Sequence, residues 1–366
     1  MEVGISKNIA IIGAGFFGCA IAHRLASKGH QCSVYERKGD ILEGTASSNV
    51  YRIHRGPHYP RSLETASQCL EGYEKFCLNF PDSVCTDFPN YYLISSRESS
   101  TNISDFLQFC DKLDIPSQEI SKSDIPEDFA NCDGGVFCKE GTINVYKMRN
   151  KYHKIFDEEN IELLLNNEIT SLSKEGDKFL LRSAKANYQA DIVINSSFNN
   201  MNLGFDSIHE SSMELKYQRT VCFKCKTSQP LFGLTVMDGK FPTIFPTFWD
   251  KDSNDIDSFI LYHVEHSVCR EAHSIEYPIF DEITENELDD RFQKTLEKVE
   301  TFIPKFREKI LNTEYLVGDR IIRSNVEKSD MRLSEIINPI DNYFIIFQGK
   351  IDYSLNMAEE ITSYIN

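Results

Sequence analysis

An α/β fold built on a parallel sheet is predicted by three observations near the start of the chain. Asn8–Ile12 is a short apolar run of β-forming residues, and it ends directly in Gly13-Ala14-Gly15-Phe16-Phe17-Gly18. A helical pattern follows through Cys19, Ala20, Ala22, Leu25 and Ala26, stopping at Gly29. A second strand, Gln31–Tyr35, then closes on Glu36 and Arg37. Strand, glycine turn, helix, strand and acid is the order a Rossmann-like dinucleotide site requires. Gly13 allows the tight turn, Gly15 lets backbone N–H groups approach a pyrophosphate, Gly18 lets the helix pack on the strand, and Glu36 accepts from a ribose hydroxyl. The acid also disfavours NADP, whose extra phosphate it would repel.

The 366 residues suggest two or three domains. With 41% hydrophobic and 11% aromatic residues, global disorder and fibrous repeats are excluded. Lys+Arg 39 against Asp+Glu 56 leaves a net charge of −17, which opposes the phosphate neutralisation behind nucleic-acid binding and docking on anionic lipid. No apolar run reaches membrane-helix length and Met1–Ile12 lacks a signal-peptide pattern, so a cytoplasmic protein without an integral membrane segment is expected. The 11 cysteines are odd in number and scattered from Cys19 to Cys269, which argues against a disulfide framework. Cys222 and Cys225 lie on an alternating, strand-like stretch where positions three apart face opposite sides, so structural thiols are expected there and no metal.

Residues 8–36, with Ala22 four positions after Gly18, resemble the N-terminus of flavoproteins. The segment Gly44-Thr45-Ala46-Ser47-Ser48-Asn49-Val50-Tyr51-Arg52-Ile53-His54-Arg55-Gly56 resembles the stretch after the second strand in the D-amino-acid-oxidase-like FAD family. That family includes glycine and sarcosine oxidases and glycerol-3-phosphate and 2-hydroxyglutarate dehydrogenases. The resemblance implies a Rossmann-like FAD-binding domain with a discontinuous β-rich substrate domain, and non-covalently bound FAD. It implies that Ser47, Ser48, Asn49, Ile53 and His54 pass along the pyrophosphate and flavin ring. It places Ile169 near the adenine and Ser196, at the end of Asp191–Ser197, beside the cofactor. Where the family has Ala-x-Gly, this chain has Ser196-Ser197-Phe198-Asn199. Tyr343–Phe347, then Gln348-Gly349-Lys350-Ile351, then a helix over 354–365 resembles the family's C-terminal return to the flavin, with Gly349, Lys350 and Ile351 facing it.

Between these ends, 61–80 reads as a helix stopped by Pro81, and 82–140 as an irregular insertion with a strand at Tyr91–Ile94 and a helix at Thr101–Leu113. Gly141–Tyr146 opens a helix running to about Glu158, and short strands follow near Ile161–Leu165, Glu168–Ser173 and Lys178–Arg182. Val221–Cys225, Thr243–Phe248 and Phe259–Val264 have strand composition, and 285–311 carries apolar residues at helical intervals. The expected division is 1–80, 141–205 and 315–366 for the FAD-binding domain, with 81–140 and 206–314 as the substrate domain.

No second glycine fingerprint follows residue 36, so the organic substrate must reduce the flavin. The electrons then leave to oxygen or another acceptor. Arg52, His54, Arg55, His58, Tyr59 and Arg61 crowd cationic and hydrogen-bonding groups into ten positions of an acidic protein, which favours a small anionic substrate such as an amino or hydroxy acid. His54 and Arg52 are candidate catalytic residues on the flavin side. In carboxylate-oxidising relatives an arginine near the last flavin segment forks onto the carboxylate, which makes Arg323 and Arg332 candidates. Tyr262 and His263 either floor the pocket or pack in the core. The competing readings are a non-redox FAD enzyme of the sugar-mutase type and a catalytically silent FAD-binding protein.

Overall fold

The computed structural model describes residues 6–228, 230–251, 253, 255–324 and 330–365. Its first layer is a six-stranded sheet in the order Glu335–Ile340, Tyr343–Phe347, Ile192–Asn195, Asn8–Ile12, Gln31–Tyr35, Glu162–Leu164. All neighbours in it run parallel except the edge strand Glu335–Ile340. A strand buried on both faces needs apolar side chains on both, and Asn8–Ile12 supplies them. Ile9 and Ile11 pack with Phe76, Tyr152 and Met357 of the helices Leu63–Asn79, Val145–Glu158 and Ser354–Ile365. Ala10 and Ile12 face Leu172, Phe179 and Leu181 of an antiparallel three-stranded sheet formed by Ile169–Glu175, Lys178–Ser183 and Asn187–Ala190.

The second layer is a nine-stranded mixed sheet. Its longest pairing joins Leu215–Thr227 to Ile310–Arg323 over their whole length. The helix Glu285–Phe302 buries Leu288, Phe292, Leu296 and Val299 against Phe223, Cys225 and Phe259 of this sheet. Thr284 caps it by accepting from Glu287 N–H.

Three sequence expectations change here. The helical stretch expected over 285–311 ends at Phe302, because Pro304 lacks an N–H and disfavours helical geometry at Ile303. The chain then enters the long strand Ile310–Arg323, so the expected domain boundary at 315 falls inside a strand of the large sheet. Gly141–Ile143 is a strand, sandwiched between Arg52–Ile53 and Val84–Cys85, and the helix begins only at Val145 after the Asn144 cap. Within 82–140, Ser117–Ser121 and Cys132–Cys138 join the large sheet beside Asn90–Ser95. Cys132–Cys138 was hidden by Gly134 and Gly135, weak strand formers needed here because a Cβ at Gly135 would stand 2.0 Å from the Tyr92 carbonyl oxygen.

Candidate functional site

A groove crosses the C-terminal ends of the parallel strands, where ligands of open α/β sheets bind. Its first part is the glycine turn. Gly13 has φ +98°, and a Cβ there would lie 2.6 Å from the Ser196 carbonyl oxygen, while one at Gly18 would lie 2.0 Å from the Gly13 carbonyl oxygen. Gly15 is different: its Cβ would meet nothing within 4 Å, so its backbone faces open groove. It precedes the helix Phe16–Ala26, whose first turn carries no side-chain cap and no acid. Free N–H groups at a helix N-terminus opening on a cleft form a seat for a pyrophosphate.

Glu36 anchors the other wall. Its Oε2 accepts from Ala14 N–H and its Oε1 from Lys38 N–H, each at 2.8 Å. Glu36 and Arg37 line both the pyrophosphate groove and an adjoining cavity reached by Ile169, Asn167 and Asn199. This adjoining cavity opens beside the Glu36 carboxylate. In place of glycine after Asn195, Phe198 takes φ +61°, and Gln348 Nε2 donates to the Ser196 carbonyl at 2.8 Å, tying the two strand ends together.

The groove continues past Thr45, Asn49, Phe198, Gln348, Gly349 and Ile351 into a cavity of about 290 Å³. Arg52, Arg320, Arg323, Arg332 and Lys350 line it, and no carboxylate does among the described residues. Arg320 donates from Nε to Gln218 Oε1 at 2.6 Å and lies over the Tyr262 ring, with no ion-pair partner among the described residues. Arg323 is paired with Glu335 and lies over Phe347, and Arg332 is paired with Asp330 at 2.7 Å.

Behind the cavity lies a buried set of charges. Arg52 donates from Nε to Glu140 Oε2 at 2.5 Å and from Nη1 to Thr235 at 2.7 Å, with its guanidinium between the Tyr92 and Phe245 rings. Glu140 Oε1 accepts from Tyr92 O–H and from Arg55 N–H, and stands 3.9 Å from His54 Nδ1. The His54 and His58 rings pack with their centroids 4.9 Å apart, tilted 41° to each other. Burial first, then the nearby cations, hold both imidazoles well below their usual pKa, so both are neutral bases at neutral pH. Asp352 accepts from His54 N–H at 3.0 Å. Burial pushes its carboxyl up to about 8 and pushes the Lys350 ammonium down to about 8.

The expected residues therefore divide. Gly13, Ala14, Gly15, Phe16, Phe17, Glu36, Arg37, Asn49, Ser196 and Gly349 line the groove at the glycine turn, and Ile169 the cavity that adjoins it. Ser48, Arg52, His54, Arg323, Arg332, Lys350 and Ile351 line the large cavity. Gly18 sits behind the turn, as its packing role requires. Two residues expected at the cofactor lie back from these cavities: Ile53 is fully buried in the core, and Ser47 donates to the Leu42 carbonyl. Arg55 turns to Glu74 and Tyr73, and Arg61 to Asp238. Tyr262 lines the cavity, whereas His263 is buried away from it among the 265–267 backbone. Cys222 also lines the cavity while Cys225 lies in the core of the large sheet, the opposite faces that strand alternation requires. The sequence reading missed Glu140, a single acid among many, and passed over Arg320 in favour of its neighbours.

A family model described as "FAD dependent oxidoreductase" (DAO) matches residues 8–344. Among curated proteins, the FAD-dependent monooxygenase kojA of Aspergillus flavus is 24% identical over all of this chain and 87% of that protein. One subunit of the anaerobic glycerol-3-phosphate dehydrogenase of Haemophilus influenzae is 28% identical over 48% of this chain and 32% of that protein. Among solved structures, glycine oxidase from Geobacillus kaustophilus superposes with a TM-score of 0.78 at 13% identity, covering 98% of this chain and 94% of that one. The FAD-bound L-α-glycerophosphate oxidase from Mycoplasma pneumoniae gives 0.75 at 16%, covering 100% and 95%.

Proposed function

This chain belongs to the FAD dependent oxidoreductase (DAO) family, and from that premise we propose that it oxidises a C–O or C–N carbon of a small anionic compound. The observation that carries the reading is the 290 Å³ cavity with five cationic side chains and no carboxylate among the described residues, in a chain of net charge −17. Arg52, Arg323 and Arg332 are ion-paired, but Arg320 and Lys350 have no ion-pair partner among the described residues, and cations held so in a concave cleft favour an anion. When bound, FAD supplies the acceptor for a hydrogen and its electron pair leaving the substrate carbon.

The chain's own residues do the rest. Gly13–Phe17 and Glu36 seat the pyrophosphate and ribose, so that the groove leads the flavin towards the large cavity. Arg320, fixed by Gln218 and Tyr262, keeps its Nη groups for the substrate anion, with Arg323 and Arg332 beside it. His54 and His58, neutral and facing the same space, are placed to take a proton from the reacting group. The parallel-sheet layer thus holds the cofactor and the large mixed sheet forms the substrate wall. The relatives named monooxygenases make dioxygen the first electron acceptor to test.

Anaerobic titration of the purified yellow protein with a panel of hydroxy acids, amino acids and alcohol phosphates tests this reading. Bleaching of the flavin band by an anionic member supports it, and reduction only by neutral or cationic compounds refutes it. Acid denaturation releases the flavin to the supernatant if it is held non-covalently, as we propose.

A further inference from the structure

We propose that Gln218 and Glu271 are positioning residues that make Arg320 an anion receptor: together they hold its guanidinium in place without cancelling its charge. The inference rests on the anionic-substrate reading above and names what sets the specificity of that site.

Strand register puts the three residues in one row. Gln218 of Leu215–Thr227 lies opposite Arg320 of Ile310–Arg323 on one side and opposite Glu271 of Val268–Ser274 on the other. Directly opposite residues of neighbouring strands point to the same face of a sheet. Thr220 and Cys222, two and four positions after Gln218, line the cavity, so the row lies on the cavity face. Of the three, only Arg320 reaches the cavity, and Gln218 is buried behind it.

Hydrogen bonds run along the row in one direction. Arg320 Nε donates to Gln218 Oε1 at 2.6 Å, Gln218 Nε2 donates to Glu271 Oε2 at 2.5 Å, and Glu271 Oε1 stands 2.8 Å from Lys216 Nζ. A guanidinium only donates and a carboxylate only accepts, so the amide between them can sit only one way round. Burial pushes the Glu271 carboxyl up, but the hydrogen bonds from Lys216 and Gln218 outweigh it and hold the group below its usual pKa. Glu271 is therefore an ionised acceptor at neutral pH.

The neutral link decides what Arg320 can do. One position back on the same two strands, on the opposite face, Asp319 closes the Arg219 guanidinium at 2.9 and 3.2 Å. In the cavity, Arg52, Arg323 and Arg332 are closed by Glu140, Glu335 and Asp330. Among these arginines of the described residues, only Arg320 meets an amide where the others meet a carboxylate, and its nearest acid in the row stands one side chain further off. An amide orients a guanidinium through Nε and leaves both Nη groups and the full charge to a ligand; a carboxylate in that place would neutralise it.

Exchanging the two side chains tests this. Gln218→Glu with Glu271→Gln keeps composition and net charge but sets the carboxylate against Arg320. The probes are sodium acetate and inorganic phosphate, titrated into the FAD-loaded protein at constant ionic strength up to about 50 mM, beyond the millimolar affinity of a weak site, and read by the shift of the visible flavin band. The exchange is expected to weaken whichever anion the wild type takes by at least about thirtyfold, the scale of a lost desolvated charge contact, with FAD content and melting temperature unchanged. Gln218→Met, which frees Arg320 but leaves it charged, is expected to weaken it only about three- to tenfold, the worth of one orienting hydrogen bond. A merely structural row gives the reverse order, with the exchange silent and Gln218→Met the more damaging. Where Arg320→Ala has lost the anion, an exchange variant that still binds it at wild-type affinity would overturn the inference alone, as would one that loses FAD instead. If the exchange does not fold, unaltered affinity in Gln218→Met overturns it. If the wild type takes neither probe, or Arg320→Ala takes it as tightly, the anionic-substrate reading falls and this inference with it.

Discussion

Arg52 and Glu140, 88 positions apart in the chain, meet as an ion pair wholly inside the protein, with 2% and 0% of their side chains exposed. The contact joins the short strand Arg52–Ile53 to the turn that follows Cys132–Cys138 of the large sheet. It also determines what Arg52 offers the cavity: a guanidinium whose charge is cancelled and whose Nη2 remains as a directed donor.

Removing one partner of such a pair leaves the other charged and dry. Glu140→Gln is therefore expected to destabilise the holoprotein by about 3–5 kcal/mol in denaturant unfolding. The double change Arg52→Met with Glu140→Leu should recover part of that loss, because no charge is left unpaired, while the Tyr92 hydroxyl and Arg55 N–H keep the cost of a lost acceptor. Additive losses in the double variant would show that the two side chains act separately.

The two outer glycines and the central one should fail differently. Gly15→Val leaves the fold intact, since its Cβ meets open space, but it puts a branched side chain where the pyrophosphate must approach; the expected product is folded and colourless. Gly13→Val forces a Cβ onto the Ser196 backbone at positive φ, so it should lower the melting temperature of the flavin-free protein as well. Circular dichroism melts and the absorbance of the visible flavin band separate the two.

Arg320→Ala should cost about 2–4 kcal/mol in kcat/KM with FAD content unchanged, because no acid among the described residues shares its charge. Arg320→Lys should recover little, as an ammonium cannot fork onto an anion. Arg323→Ala should lose less, since Glu335 and Phe347 already occupy that guanidinium. Stopped-flow reduction by the substrate found in the anaerobic screen measures all three.

His58 makes stability depend on pH with a definite sign. Its folded pKa lies below the usual 6.5, so above that value neither state carries the proton and the group contributes no slope. Below it the unfolded chain takes up a proton the folded one refuses, and stability is lost as pH falls. His58→Gln removes that uptake. The variant should therefore gain on the wild type by about 1.4 kcal/mol per pH unit between 6.5 and the depressed value. Unchanged differences between pH 7 and 5.5 would show that the buried imidazole is already protonated.

The nucleotide half of the site was legible because it is local. Strand, turn, helix and acid all fall within 29 residues, from Asn8 to Glu36, and each follows from backbone geometry. The substrate half was legible only as a list of cations. Arg320, Arg323 and Arg332 look alike in the sequence; what separates them is whether a carboxylate, Glu335 or Asp330, or the neutral Gln218 arrives from elsewhere in the chain. Glu140 gave no signal at all, since its burial depends on Arg52, Tyr92 and Arg55 converging on it. The strand Ile310–Arg323 was missed for a related reason: most of its residues are half-exposed on both faces, so the alternation that marks a strand is blurred.

The contrast between a protein of net charge −17 and a cavity lined by no acid among the described residues bears on how a ligand arrives. A body of net charge −17 repels an approaching anion at long range, whereas the cations of the cavity, three of the five ion-paired, act only over the last few ångströms. At about 0.01 M salt the screening length is roughly 30 Å and the distant repulsion dominates the encounter; at about 0.1 M it shrinks to roughly 10 Å, which silences the exterior before it reaches the cavity. Capture of an anion by this protein should accordingly quicken on adding moderate salt, the reverse of the behaviour of enzymes whose whole surface steers their substrate in.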